Sequence, residues 1–288
     1  MSLGAAAPGF TFAAPHHQAA STAPKSFLRG GRNEPLASQV PESTLSVCLS
    51  PSSFFAMKNL LLPALLSLAA LAPACAQSTQ TRQVPAFHAI NVGTGIELAL
   101  TAGHSQRVEV SATTDEYRDR IETTVQDGVL TLRYKKPDSA PRKERMNSYL
   151  RVAVTADELT ALTAGSGSSV HTSGDFDAAE FKLDVSSGAS VKAGLDTGTL
   201  TVRQSSGSST DLSGRAASLD VQSSSGATFD AHDLHTDRCR AQASSGSSIQ
   251  VAVKDDLVAE ASSGGSISYQ GSPQLTKRTS SGGGVSRQ

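Results

Sequence analysis

The sequence predicts an all-β, solenoid-like fold with coils of about 19 residues, and three observations carry that prediction. A Ser-Gly motif recurs seven times from residue 165 onward, and its central glycines (Gly167, Gly188, Gly207, Gly226, Gly246, Gly264, Gly282) are spaced 21, 19, 19, 20, 18 and 18 residues apart. Between the copies apolar residues alternate with polar ones at period two, which is strand periodicity, and no helical spacing is present. The composition agrees: 38% hydrophobic and 5% aromatic residues, no Trp and 24 Gly disfavour a large core of bulky side chains and long helices.

The elements are taken in chain order. Residues 1–56 are rich in Ala, Pro, Ser and Gly, lack periodicity and read as disordered. A complete export signal comes after them, at residues 57–76. Met57, Lys58 and Asn59 form a short positive start, Leu60 to Leu71 is an apolar run of 12 residues, and Ala74-Cys75-Ala76 is a small-x-small site. Translation is therefore expected to begin at Met57, with residues 1–56 an upstream extension, and cleavage is expected between Ala76 and Gln77. The apolar run is too short to span a bilayer, which takes about 20 residues. A buried core helix is the competing reading, and the sharp polar turn at Gln77 argues against it. Cys75 leaves lipid modification as an alternative outcome, although Ala72 stands where a lipoprotein signal usually has Leu. The chain is thus expected to be exported, to the periplasm, the outer surface or the medium, with residues 77–288 forming one domain without a transmembrane helix.

Residues 84–155 read as a β part less regular than the Ser-Gly repeat. Ile90 and Val92, then Ile96, Leu98 and Leu100, then Val108 and Val110 alternate with polar residues. Asp127-Gly128 is a hairpin signal between two such runs. Residues 115–120 suit one helical turn. Residues 149–154 form a further strand. Between the last two strands lies KKPDSAPRKERMN, residues 135–147, with five basic and two acidic residues. It reads as a solvated hairpin loop, with an anion or lipid-headgroup contact as the alternative.

Residues 160–288 carry the repeat. Three positions after each glycine stand Val170, Val191, Thr210, Phe229, Ile249, Ile267 and Val285. Seven positions before the later glycines stand Phe181, Leu200, Leu219, Cys239, Leu257 and Leu275. A unit this short cannot bury its own apolar face, whereas stacked units bury a continuous strip. These columns are therefore expected to be interior ladders, with Cys239 as core filler. The Ser-Ser-Gly segments fit tight corners, because Gly permits positive φ and short Ser side chains bond the local backbone. The last coil is polar at Lys277 and Thr279, as suits a terminal edge.

Little chemistry is legible. The net charge of −1 gives none of the basic excess of a nucleic-acid binder. Three Cys, at 48, 75 and 239, with no CxxC, argue against a disulfide framework and a structural zinc site. The position four after each glycine reads His171, Lys192, Asp211, Asp230, Gln250 and Ser268, an outward column and possible surface ladder. Asp211 and Asp230 would be neighbours there, as an acid-base or cation-binding pair, but Lys192 beside Asp211 more simply makes a surface ion-pair ladder. His232, His235 and Cys239 have ligand chemistry for zinc, yet the two histidines differ in strand parity and Cys239 faces inward. No phosphate-binding loop, dinucleotide fingerprint or nucleophile elbow occurs. Of Phe176, Phe181, Phe229 and Tyr269, two sit in core columns, which weakly supports sugar stacking at best. No catalytic residue, metal or cofactor is expected.

The layout resembles the putative auto-transporter adhesin, head GIN domain family of bacterial envelope proteins. The resemblance rests on RQVPAFHAINVGTGIELALTAG at 82–103, VEVSATTDEYRDRIETTVQDGVLTLRYKK at 108–136 and the Ser-Gly ladder after residue 160. It implies a right-handed parallel β-helix-like fold in an exported protein, similar in shape to pectin-lyase-type solenoids but without their catalytic residues. The implied role is adhesion. The family has no agreed functional residues to carry over. This chain departs from it in bulkier Ser-Gly columns and in lacking literal Gly-Ile-Asn triplets.

The expected function is that of a non-enzymatic envelope protein presenting a Ser/Thr-rich solenoid face to envelope glycans, a cell-wall polymer or a protein. The alternatives are a carbohydrate-active enzyme of the pectin-lyase type and a periplasmic lipid-binding or structural protein.

Overall fold

The computed structural model describes residues 78–136 and 149–288. The upstream extension, the export signal, Cys75, the cleavage pair Ala76 and Gln77, and most of the basic stretch at 135–147 lie outside the described residues.

The coil is built from its corner. In each Ser-Ser-Gly the second Ser and the Gly both hold positive φ, as at Ser187 (54°) and Gly188 (71°). Two successive positive φ values are the mark of a type I′ turn, closed here by Ala189 N–H donating to the Ser186 carbonyl at 3.1 Å. The Gly188 N–H is then free to donate along the axis, to the Ser206 carbonyl of the next coil at 3.1 Å. Equivalent bonds run from Gly167, Gly207, Gly226, Gly246 and Gly264, so interstrand hydrogen bonding continues through the corner.

Five long strands succeed the corners: β9 (Ser169–Val185), β10 (Ser190–Gln204), β11 (Ser209–Ser223), β12 (Thr228–Ala243) and β13 (Ser248–Ala261). Each bends between two arms and pairs in parallel with its neighbours one coil away. The register stacks like positions: Val191 lies between Val170 and Thr210, and Leu200 between Phe181 and Leu219. From Val170 to Ile267 the first predicted column is 1% exposed or less. The second is buried from Phe181 to Leu257. Phe176 is buried as well, so three of the four repeat-region aromatics serve the core and Tyr269 is half-buried. Differences in coil length are absorbed by register shifts outside the corner, at Lys192/Gly194, Asp211/Ser213 and Ala231/His235.

The amino-terminal part is more regular than its sequence suggests. Strands β2 (Ala89–Val92) and β3 (Glu97–Ala102) flank Thr94 (φ 58°) and Gly95 (φ 73°), a further corner of the same kind. Gly95 N–H donates to the Ser166 carbonyl at 3.1 Å, β2 pairs in parallel with β8 (Ala161–Ala164), and β3 with β9. A Thr in place of the Ser, and an insertion before the next corner, conceal this copy.

The insertion closes the amino-terminal end. It comprises β4 (Arg107–Ala112), α1 (Asp115–Asp119), β5 (Ile121–Gln126), β6 (Val129–Tyr134) and β7 (Leu150–Ala156). Strand β6 lies parallel on β2, and β7 parallel on β3. Strand β5 pairs antiparallel with β6 through the predicted Asp127-Gly128 turn, φ 51° and 72°. Strand β4 pairs antiparallel with β7, and β1 (Ser78–Arg82) antiparallel with β4. The single helical turn expected at 115–120 forms, with Thr114 Oγ1 accepting from Tyr117 N–H at 3.3 Å. One expectation is corrected. Strands β6 and β7 pair with different partners and not with each other, so the basic stretch between them does not connect a hairpin.

The opposite end is open. Strands β14 (Ser266–Gln270), β15 (Gln274–Thr279) and β16 (Gly284–Arg287) add the last turn, with β15 on β13 and β16 on β14. Every residue of β15 is exposed, including Leu275 of the interior column at 40%. Lys277 occupies an interior position and folds over the end, its Nζ donating to the Val285 carbonyl at 3.0 Å. Among the described residues no helix is long and apolar enough to cross a membrane.

Candidate functional site

Two polar surfaces run along the solenoid. The column four residues after each corner glycine is aligned by the strand register: His171 pairs with Lys192, Lys192 with Asp211, Asp211 with Asp230, Asp230 with Gln250, and Gln250 with Ser268. Its side chains are exposed or half-buried. Lys192 Nζ lies 2.8 Å from Asp211 Oδ2, and that hydrogen bond holds the ammonium pKa above its usual value. Asp230 is engaged by His232, with Nδ1 2.7 Å from Asp230 Oδ1 and Nε2 3.1 Å from Asp233 Oδ2. The two carboxylates of the expected acid-base pair each face a different partner, Asp211 the Lys192 ammonium and Asp230 the His232 imidazole.

His232 sits in the extra length of its coil, where the register breaks between Ala231 and His235. The hydrogen bond and charge of Asp230 raise its pKa from the ordinary 6.5, with Asp233 and Asp211 adding to the shift. A raised folded-state value stabilises the fold below the unfolded-state pKa, and that contribution fades as pH rises through the folded-state pKa. Nuclear magnetic resonance titration should therefore place the His232 midpoint above 6.5. Asp230→Asn should bring it down toward that value, and an unchanged midpoint would remove Asp230 as the cause.

The other metal-like constellation does not assemble. His232 and His235 are exposed, whereas Cys239 is 4% exposed inside the core. Among the described residues no group of three or more His, Cys, Asp or Glu is placed to hold a metal ion. Burial pushes the Cys239 thiol well above its usual pKa. The thiolate is the reactive form, so a charged thiol reagent is expected to leave Cys239 unmodified in the native protein and label it on unfolding. Labelling of Cys239 at equal rates in both states would contradict that placement.

The second surface is a trough of about 780 Å³ beside the Ser corners. Its floor runs past the ends of β9 through β13 and β15, along the axis rather than along the strands. One wall is the column four residues before each glycine: Asp184, Arg203, Gln222, Gln242, Glu260 and Arg278. The other is the first Ser of each corner, from Ser186 to Ser280. From sequence these serines read as turn residues, and the polar column went unassigned. Its signal was present, since its members share the period of the glycines and alternate with buried Leu183, Val202, Val221, Ala241 and Ala259.

The comparisons with known proteins agree with this architecture. Residues 86–273 match the family described as putative auto-transporter adhesin, head GIN domain. No curated protein is found to match the sequence. Among solved structures, the chain is similar to a putative adhesin from Bacteroides fragilis, with a TM-score of 0.65 at 18% identity over 73% of this chain and 96% of that one. A putative adhesin from Parabacteroides merdae gives 0.58 at 19% identity, over 74% and 96%. A putative lipid binding protein from Parabacteroides distasonis gives 0.52 at 16% identity, over 74% and 96%. At these identities the likeness is one of fold.

Proposed function

The chain belongs to the putative auto-transporter adhesin, head GIN domain family, and from that premise we propose that it is an exported, non-enzymatic envelope protein acting as an adhesion module. The observation that carries this reading is a column of hydroxyls two residues after the six corner glycines from Gly167 to Gly264. Ser169, Ser190, Ser209, Thr228, Ser248 and Ser266 stand in register on the outside of the solenoid. A rigid frame holds many weak hydrogen-bonding groups at one repeat, and such groups gain strength by simultaneous engagement. The ligand class expected is a repetitive surface: an envelope glycan, a cell-wall polymer or a protein. Its compartment is the periplasm, the outer surface or the medium, reached by the signal at residues 57–76.

Binding is tested by probing the protein against glycans, cell-wall fragments and anionic vesicles. A reproducible hit that is lost in Ser190→Tyr and Ser209→Tyr supports the adhesion reading. A blank array together with release of reducing sugar or unsaturated uronate from polysaccharide, abolished by Asp211→Asn or Asp230→Asn, would replace it with an enzyme. Export is tested separately by sequencing the amino terminus of the protein from its native cell. Gln77 is the expected first residue, and peptides from residues 1–56 in the isolated protein would refute the assigned start.

A further inference from the structure

The two halves of the trough differ in how their polar groups are used. Toward the open end, Glu260 accepts from Arg240 at 3.3 Å, from Gln242 Nε2 at 2.9 Å and from Arg278 at 3.4 Å. Toward the capped end, Asp184, Arg203 and Gln222 succeed one another at single coil steps. Their side chains make no hydrogen bond or ion pair among the described residues, although Asp184 and Arg203 are register partners. Gln204, the inward-facing neighbour of Arg203 at 4% exposure, is held within the core, its Nε2 donating to Ser223 Oγ at 2.9 Å.

Four properties define what fits. The half-trough offers a carboxylate, a guanidinium and an amide in a row at a repeat of about 4.8 Å, with the Ser205 and Ser224 hydroxyls alongside. Its charges cancel over the whole length, Asp184 and Glu260 against Arg203 and Arg278. No aromatic side chain lines it. The backbone beneath is already used between coils, as Ser205 N–H donates to Val185 and Ser224 N–H to Gln204. A peptide strand cannot therefore add to this surface through its main chain, and a polyanion finds no net positive field. What remains is an uncharged linear ligand rich in hydroxyls, repeating at nearly the coil rise.

We propose that the Asp184–Arg203–Gln222 half of the trough binds a neutral linear polysaccharide lying along the solenoid axis. Asp184 accepts from sugar hydroxyls, Arg203 donates to hydroxyl and ring oxygens, and Gln222 does both on the following unit. The proposal rests on the reading of the chain as an envelope adhesion module and names the ligand class and the face.

The test is calorimetric titration of the full chain with cellohexaose, xylohexaose and mannohexaose, with their disaccharides, and with hexagalacturonate as the acidic counterpart. At least one neutral hexaose is expected to bind, and more tightly than its disaccharide. Arg203→Ala with Gln222→Ala should weaken it by at least about tenfold, and Asp184→Asn should weaken it too. Lys192→Ala, outside the trough, should leave it unchanged, with circular dichroism confirming that every variant is folded. The proposal is overturned if no neutral hexaose binds, if the double variant binds as well as the parent, or if hexagalacturonate is preferred to all three. Any of these outcomes leaves the broader adhesion reading to the serine-column variants, which lie on a different surface.

Discussion

Gly214→Ala is expected to destabilise the protein by about 3–5 kcal/mol, from backbone strain and overpacking together. Gly214 carries φ 106°, and a Cβ built there would stand 2.2 Å from the carbonyl oxygen of Leu195, its own register partner one coil away. Neither atom can yield, because both belong to backbone held in the parallel ladder. The corner glycines form the natural comparison. Gly188 also has positive φ, at 71°, but an added Cβ meets nothing within 4 Å. Gly188→Ala should therefore cost only the left-handed penalty of about 1–2 kcal/mol. Urea unfolding of the two variants decides the matter. Equal losses would mean that close approach between coils at the second bend is not what demands glycine. The motif that repeats seven times is thus predicted to tolerate substitution better than an inconspicuous glycine between the motifs.

Phe229→Ala carries the other large effect. Phe229 is fully buried and stands in the interior column between Thr210 and Ile249. Thr210 contributes a hydroxyl with no hydrogen-bond partner among the described residues, so the ring covers a polar atom as well as an apolar one. Removing the ring should cost about 3–5 kcal/mol, through lost transfer energy and a cavity that rigid neighbouring coils cannot close. Phe229→Leu keeps most of the volume and should cost less than about 1.5 kcal/mol. A loss below about 1 kcal/mol for the alanine variant would show that adjacent coils relax into the space.

The repeat made most of the fold legible. Seven glycines at a near-constant interval set the coil, and Leu and Val at fixed offsets from them set which side of each arm faces inward. Positive φ was readable for Gly but not for the Ser before it, because serine has no strong intrinsic preference for that region. The turn geometry imposes it, and only the structure reveals that Ser166 through Ser281 share it. The corner at Thr94-Gly95 escaped for a different reason. A period is visible only between neighbours, and the inserted cap places residues 103–160 between this corner and the next. The hairpin reading of the basic stretch failed because adjacency in sequence implies pairing only when a turn is tight, and these strands serve different arms. The surface column from His171 to Ser268 was readable as a position but not as chemistry, since the engagement of Asp230 depends on a register break that brings His232 alongside it. The trough was harder still. Its outline depends on how far one corner projects past the next, and no single coil contains that information.

The solenoid ends are unlike: antiparallel strands close one, and Lys277 with an exposed β15 leaves the other bare. In a stack where each coil is held only by its neighbours, opening propagates from a free end inward. Amide exchange should accordingly be slowest around β10 and β11 and quicken coil by coil toward residue 288. The molecule then has a polarity in time as well as in space: its last turns come and go while the capped turns stay formed. A ligand spanning several coils would bind the intact stack better than the frayed one, and protection of the final turns would report its arrival from a distance.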